Sequence, residues 1–589
     1  MNNLRKRIIS KIRQQLSILQ LQINRTPDAP ILPLECIDEI KYTIDKEFEI
    51  VVFGRKIDYE TINWHCDYSS GYCYPQKTRF DKIKIFKLFN RGIDVIFPWE
   101  LSRFQFGIDL AICYHRYKDV QYYTIFKSLV IDWIEKNPFL IGVNWICTME
   151  VAIRASNWIV AAHLFKKIFW EDKKFTMLLS NSLYEHARYI ETFPKKFDIT
   201  GNTHLISRYS GLFIISLCFI ETNDGKRWLK IAKNGLEFCM EKQICEDGTY
   251  YENSIPYHRL ALELFAIPVI IGRNSNIEFS AAYYSKLFKM FEFVCAYMDS
   301  KGNAPQIGDN DSGRFFQLTN SDERNHLYLL ELSQQIFENN FDAKCSCNFL
   351  FSIFRVKANK IPLSELGIKP RDCKKSVFFT EGGFYFLKNN QFDVAVFCPI
   401  CNQGGHRHFD AGSFTLSHNG EQIVVDPGTG VFTSNIQIRR CFRDYSSHNF
   451  YYKHKLNANN TNYFGIVDDL EVKVISFSDN MINIRMFLDN ELSVERRFIL
   501  NDNSFQIQDI IVGIAKNLVS ALHFTESDIE MKEDNRIKIK GLEIFISGSN
   551  DVQKEKYLYS PSYLTMEERE KIVILPGETV TIDFINLDY

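Results

Sequence analysis

The stretch FSAAYYSKLFKMFEFVCAY, residues 279–297, sets Phe279, Tyr283, Leu287, Met290, Phe291, Val294 and Tyr297 three or four positions apart. That spacing gathers them into one apolar stripe along an α-helix. The same period extends outward through residues 103–117, 120–136, 146–168, 175–193, 203–220, 226–244, 257–272 and 322–337. Short breaks such as Asn137-Pro138 and Asn223-Asp224-Gly225 separate these segments, and helices joined by short connections lie antiparallel. Residues 85–360 therefore read as an array of helical hairpins, a solenoid or a toroid. No repeat period decides between the two.

From Ser376 the period falls to two. Leu470, Val472 and Val474 alternate with Glu471 and Lys473, and Val580, Ile582 and Phe584 alternate with Thr581 and Asp583. Ile537 and Ile539 alternate with Lys538 and Lys540 in the same way. This is the pattern of half-buried antiparallel strands, and many short ones predict a β-sandwich over residues 376–589. A polar stretch, residues 362–375 with Pro370, serves as linker. Residues 1–84 form an N-terminal extension with a basic helix and a short strand near residues 49–53. The expected class is α+β and multidomain.

The chain has 589 residues, with 70 Lys and Arg against 72 Asp and Glu, so its net charge is -2. That excludes a protein whose binding rests on overall positive charge, such as a nonspecific nucleic-acid binder. Fifteen scattered cysteines, an odd number, suit a reducing compartment. Cys398 and Cys401 form a CxxC and Cys345 and Cys347 a CxC; Cys398 closes an apolar run and reads as a structural thiol. Met1–Arg25 is basic, with Arg5, Lys6, Arg7, Lys11 and Arg13 among Ile8, Ile9, Ile12, Leu16 and Leu19. No apolar core or cleavage site of a secretory signal follows it. It reads as a solvated helix or one lying on an anionic membrane surface. The longest apolar run, residues 211–220, is too short to span a bilayer. The expected location is cytoplasmic, at most peripheral to the inner membrane.

Four segments hold polar residues outside any core period. The first is Gly201-Asn202-Thr203-His204, at a helix start, where Asn or Thr can cap. The second, residues 246–258, holds Tyr250, Tyr251, Glu252, Tyr257 and His258. The third, residues 307–314, reads as a tight polar turn; it lacks the length and closing Glu of an EF-hand loop. The fourth runs from Gly404-Gly405-His406-Arg407-His408-Phe409-Asp410 through Asp426-Pro427-Gly428 to Ser446-Ser447-His448-Asn449. His and Asp are zinc ligands, and an extended HxH puts both imidazoles on one face. Asn419-Gly420 predicts a type I′ hairpin. A plain two-residue loop there pairs Asp426 with Ser413 and leaves His408 on the opposite face. A bend near Gly412 or a loop must bring His408 to Asp426. The block reads as a metal site or as a hydrogen-bonded histidine cluster.

Together these segments resemble the heparinase II/III family of bacterial polysaccharide lyases, over roughly Trp99 to Asn449. Pro98-Trp99-Glu100-Leu101-Ser102-Arg103, Gly142-Val143-Asn144-Trp145, Met149-Glu150 and Arg154 are similar to the family's N-terminal pattern. The resemblance implies an incomplete α/α toroid followed by an antiparallel β-sandwich. It implies β-elimination at a uronic acid, in which a base removes the C5 proton and an acid protonates the departing C4 oxygen. On this resemblance His204 holds the substrate carboxylate or acts as base, and Asn202 neutralises it. Tyr257 is the general base or acid, its pKa lowered by positive charge, and Tyr251 is its alternate. His406 is the second candidate base. His408, Asp426 and His448 are ligands of a structural zinc, with Asp410 the alternative carboxylate. Thr203 stands where the family usually has Asn before the His, and Phe432 where a Tyr often follows Asp-Pro-Gly. Tyr251, Glu252, Arg439 and Arg443 are expected to contact the glycan, with Arg439, Arg440 and Arg443 forming a basic patch. Trp99, Trp145 and Tyr251 are candidate sugar-stacking rings. The implied partner is an acidic polysaccharide or oligosaccharide. Two rival readings remain: a non-lytic glycan-binding protein of capsule or surface-polysaccharide assembly, and a zinc hydrolase acting through HxH and Asp426.

Overall fold

A computed structural model describes residues 46–193, 201–319, 322–341, 356, 358–399, 405–453, 470–532 and 534–587. The basic segment 1–25, Cys345, Cys347, Cys401 and Gly404 lie outside the described residues.

The stripes become helices at Phe106–Tyr117, Gln121–Lys136, Thr148–Leu164, Lys173–Thr192, Thr203–Cys218, Asn223–Gln243, Ile255–Arg273, Ala281–Tyr297 and Leu327–Ile336. Several starts are set by a side chain that accepts an otherwise unpaired backbone N–H: Asp172, Asn202, Thr222, Ser254 and Ser280. The expected single helix over residues 146–168 breaks at Phe165 into Thr148–Leu164 and Lys166–Glu171.

Three helices run parallel, and the contacts show it. Cys147 meets His204 at 3.3 Å beside the starts of Thr148–Leu164 and Thr203–Cys218. Further along, Gly211 packs so tightly on Ala152 that an added Cβ would lie 2.5 Å from Ala152 Cβ. Likewise Ser210 donates to the Leu264 carbonyl at 2.6 Å, and later Phe213 reaches Gly272. The residue numbers rise together on both members of each pair. The N-termini of these helices, carrying Cys147, His204 and Tyr257, therefore share one end.

Residues 313–315 decide between solenoid and toroid. Arg259 donates to Gly313 O at 2.7 Å, Asn157 to Phe315 O at 3.1 Å, and Gln105 to Arg314 O at 3.0 Å. Phe315 N donates to Glu263 at 2.7 Å. One short segment touches the helices Thr148–Leu164 and Ile255–Arg273 and the start of Phe106–Tyr117, so these elements converge on it. This convergence fits the expected incomplete toroid rather than an open solenoid. Ile255–Arg273 is long and apolar enough to cross a bilayer, but it is fully buried in this core.

Residues 46–95 are not a separate extension. Ile50, Val52, Trp64 and Phe80 belong to the helical core, and Trp64 stacks on Phe104 at 4.9 Å. The expected strand is Ile50–Val52, paired with Arg55–Ile57.

The strand half is two antiparallel sheets. Five strands, Val377–Phe379, Phe384–Lys388, Phe392–Phe397, Phe414–His418 and Glu421–Val424, form a meander. The larger sheet is built from strands between Tyr451 and Asn586. The meander is buried on both faces. Phe384, Phe386, Ala395 and Phe397 join the helical core, while Tyr385, Leu387, Val394 and Val396 join the core between the sheets. That is why FYFL and VAVF read as continuous apolar runs. Asp247 adds a polar tie: its carboxylate accepts the backbone N–H groups of Glu381 at 2.8 Å and Gly382 at 3.2 Å.

Candidate active site at the junction of the halves

Ser254 caps the helix Ile255–Arg273 by accepting Tyr257 N at 3.2 Å, and its hydroxyl donates to Asp309 O at 2.7 Å. One hydroxyl thus fixes the start of the helix and the loop beside it. Gly308 has φ +80°, and a Cβ there would lie 2.7 Å from Ser254 Cβ and 2.9 Å from the His406 carbonyl. Only glycine takes that backbone in that space. Asp309 N then donates to His406 O at 2.7 Å. The polar turn at residues 307–314 therefore joins the second and fourth segments.

Tyr257 and His406 stack face to face, with centroids 3.5 Å apart and planes 16° apart. They are 6% and 8% exposed, so only the edge of the pair meets solvent. The Tyr257 hydroxyl donates to Asp311 at 3.0 Å. Burial, with the charges of Asp311, Asp309 and Glu252, pushes the Tyr257 phenol well above its ordinary pKa. The sequence-based expectation was a lowered pKa. The correction follows from carboxylates, rather than cations, surrounding the hydroxyl.

Asp309 is the hub. Arg439 grips it with two N–H groups at 3.1 and 2.8 Å, His406 Nδ1 lies 3.1 Å away, and His408 Nε2 lies 2.9 Å away. Burial alone would raise the Asp309 pKa, but Arg439 and the histidines outweigh it and hold it well below the carboxylate range. An ionised Asp309 can only accept. Both histidines must therefore donate to it, which leaves the lone pairs on His406 Nε2 and His408 Nδ1.

His408, Asp426 and His448 each offer a ligand atom, and these lie within 4.8 Å of one another. His408 Nδ1 and His448 Nε2 are buried without a hydrogen-bond partner. Two orphaned imidazole nitrogens beside a carboxylate fit a divalent cation. The Asp309–His408 bond is the carboxylate–histidine contact that orients such a ligand. Asp410 is fully buried near Arg407, 3.7 Å from its Nε, outside this group. What brings Asp426 into place is a β-bulge. His418 pairs with Glu421 and Ser417 with Gln422, but Leu416 pairs with Val424. The extra residue, Ile423, shifts the register by one from the plain hairpin and turns the following residues to the other face. Asn419 and Gly420 have φ of 50° and 73°, as the expected turn requires.

Two family descriptions match the sequence: Heparinase II/III N-terminus over residues 36–328, and Heparinase II/III-like, C-terminal over residues 371–449. The chain belongs to the heparinase II/III family. A heparin-sulfate lyase of Pedobacter heparinus is 26% identical over 219 residues, 36% of this chain and 32% of that protein. One of Bacteroides thetaiotaomicron is 20% identical over 378 residues, 59% of this chain and 50% of that protein. The matched regions thus span a third to a half of these relatives. A heparinase III crystal structure has a TM-score of 0.64 at 16% identity, covering 89% of this chain and 82% of that one. Heparan sulfate lyase HepC of Pedobacter heparinus has a TM-score of 0.56 at 18% identity, covering 98% and 87%. The shared fold is the toroid and β-sandwich.

Against the family pattern, several expected site residues sit differently. Asn202 caps its own helix, with its side-chain oxygen accepting His204 N at 3.1 Å; its amide NH₂ is left to donate. Thr203 is fully buried, so it does not replace Asn at a substrate. His204 is half-buried at the shared N-terminal end. Phe432 lies under Arg439, whose guanidinium is 4.4 Å from its ring. It supports the hub instead of offering a hydroxyl. The basic patch is corrected: Arg439 is 1% and Arg443 3% exposed. Arg439 holds Asp309, and Arg443 donates to Arg407 O at 2.9 Å. Glu252 is also buried, accepting from Tyr250 at 2.8 Å, and Trp145 is core. Tyr251 and Trp99 keep partial exposure. Sequence reasoning missed Asp309 and Asp311. The available signal was Gly308-Asp-Asn-Asp-Ser-Gly313, acids bracketed by glycines.

Proposed function

We propose that this protein is a polysaccharide lyase cleaving an acidic, uronate-containing glycan by β-elimination. The carrying observation is the stacked pair of Tyr257, protonated on Asp311, and His406, oriented by Asp309. Nε2 of His406 is the base for the C5 proton. Tyr257, held protonated by its surroundings, is the acid for the departing C4 oxygen. This assigns acid and base to different residues at one edge. Asn202 and His204 bind the substrate carboxylate, because hydrogen bonds there stabilise the charge that accumulates on proton removal. The heparin-sulfate lyases named above support a glycosaminoglycan as the substrate.

His408, Asp426 and His448 would hold a zinc ion that braces the segment carrying His406. Metal analysis of the purified protein checks its identity. Cytoplasmic location, with peripheral membrane contact through residues 1–25, is proposed on the sequence grounds above; cell fractionation checks it.

The test is a panel of uronate polymers assayed for ultraviolet-absorbing unsaturated ends. Tyr257→Phe and His406→Ala should each lower the rate by about 10²–10⁴-fold, with circular dichroism unchanged. Unchanged rates would sink the assignment. A second reading, a non-lytic glycan-binding protein of capsule assembly, is favoured by the burial of Thr203 in the neutraliser's place. Saturable binding of the native glycan with no cleavage would establish it instead.

A further inference from the structure

The linker between the halves runs against the helix Ala281–Tyr297. Arg371 N donates to Glu292 Oε1 at 2.7 Å, and Cys373 Sγ lies 3.5 Å from Glu292 O. Cys295 stands about one turn further along the same helix. A helical side chain leans back over the preceding turn, so the Cys295 sulfur is directed at the turn that Cys373 touches. The two thiols are hydrogen-bonded to each other. Cys373 is buried, whereas Cys295 is half-buried and meets solvent.

The surroundings give the two sulfurs different roles. Lys388 reaches across from the meander, and its Nζ donates to Met298 O at 2.6 Å, just past the end of the helix. The hydrogen bond from Cys373, helped by the charges of Lys388 and Lys374, holds the Cys295 thiol below its ordinary pKa against burial and Glu292. The same hydrogen bond, with burial, pushes the Cys373 thiol up. An accessible thiol in an electropositive setting, with a second thiol in contact, is the arrangement of an attacking and a resolving cysteine. The pair also sits where the halves meet. Phe293 on the same helix packs on Phe379 of the strand that follows Cys373, with centroids 5.0 Å apart. A bond between the sulfurs would fall beside that contact.

We propose that Cys295 and Cys373 are a reversible disulfide site, oxidised by a low-molecular-weight disulfide such as oxidised glutathione, that staples the linker to the helical half. The Cys295 thiolate attacks one sulfur of the small disulfide, whose S–S bond breaks and releases one thiol. The Cys373 sulfur then attacks Cys295 Sγ of the mixed disulfide, and the second small thiol leaves. Two protein S–H groups become one S–S bond, the small disulfide is reduced to two thiols, and the two protein protons end on them. The bond closes a long loop and so restricts the unfolded chain. The site does not rest on the lyase reading.

The test is to treat the reduced full chain, Cys295→Ser and Cys373→Ser with oxidised glutathione, alkylate the remaining thiols and map the peptides by mass spectrometry. Thermal melts of the reduced proteins confirm that both variants fold. A peptide pair joined through Cys295 and Cys373 is expected in the parent and is reopened by dithiothreitol. Cys373→Ser should accumulate glutathione on Cys295, whereas Cys295→Ser should leave Cys373 unmodified. Oxidation should raise the melting temperature of the parent by about 5 °C more than that of Cys373→Ser. Glutathione on the exposed Cys441 with Cys295 and Cys373 still free overturns the proposal. So does equal modification of Cys373 in the Cys295→Ser protein, because Cys295 would then not be the attacking thiol. A complete Cys295–Cys373 bond with no added gain in melting temperature overturns the staple.

Discussion

The Asp309 carboxylate accepts from a guanidinium and two imidazoles in a buried setting. Its charge decides which nitrogen of each histidine keeps a lone pair. In the proposed mechanism it therefore prepares His406 as the base and His408 as a ligand of the proposed metal together. Asp309→Asn keeps the shape but removes the charge and adds donors. On the proposed function, affinity for the proposed metal should fall about 10–100-fold and the proposed lyase rate about 10²–10⁴-fold, read by metal analysis and by formation of unsaturated ends. Leaving Arg439 buried without its partner should also cost about 3–5 kcal/mol in denaturant unfolding. Normal metal content and rate would show that the histidines are oriented without Asp309. Asp309 was not legible as a site residue because its partners His406, His408 and Arg439 are 97, 99 and 130 positions away. The HxH spacing was legible because it is local. The histidines of the candidate metal group could be named from sequence, but not the carboxylate that orients one of them.

Helices were legible almost to their ends, since a 3.6-residue stripe and a capping side chain are both short-range signals. The crossing of Thr148–Leu164 with Thr203–Cys218 was not legible, although it brings Cys147 to His204. It rests on Gly211, where a Cβ would come within 2.5 Å of Ala152 Cβ and 2.8 Å of its Cα. Gly211→Ala makes a sharp test, because the two effects oppose each other. Helix propensity alone favours Ala by about 0.8–1 kcal/mol, whereas overpacking costs about 1–3 kcal/mol. A net loss of stability is expected in thermal or urea unfolding. A gain would mean that the helices are free to move apart. The Ser413–Asp426 hairpin makes the same point for strands. Asn419-Gly420 announced the turn, but nothing in the local pattern announced the bulge at Ile423 that reverses the face of Asp426.

At the scale of the whole molecule, one pH dependence comes from Asp109 on the helix Phe106–Tyr117. Asp109 is raised in the folded state from 3.8 to about 7 by burial. A raised carboxylate contributes stability that is complete below the unfolded pKa and is lost as pH rises through the folded one. Between about pH 4 and 7 the native state should weaken on this account. Asp109→Asn should remove that slope, with a gain over the parent at pH 8 of at most about 4 kcal/mol and none near pH 3. Equal melting of the two proteins at pH 8 would mean that water already solvates the carboxylate.

The two halves are joined by a sheet that neither owns alone. Phe386 faces the helical core, near Phe293 and Phe379, with centroids 6.0 Å from each. The next residue, Leu387, faces the core between the sheets. The sequence showed the switch from helix to strand period but not this sharing, since an apolar run carries no record of which face meets which partner. If the sheet couples the halves, they unfold together. Phe386→Ala should cost about 3–5 kcal/mol and Leu387→Ala about 2–5 kcal/mol. Both should move one calorimetric transition downward, although they damage different cores. Two resolved transitions, each displaced by only one of the substitutions, would show that the halves are independent. The candidate active site would then depend on docking, because Tyr257 comes from the helical half and His406 from the strand half. With a single transition, Tyr257 and His406 share the stability of the whole molecule. Each substitution should then leave the proposed lyase activity per molecule unchanged below the melting range and abolish it in step with the heat signal.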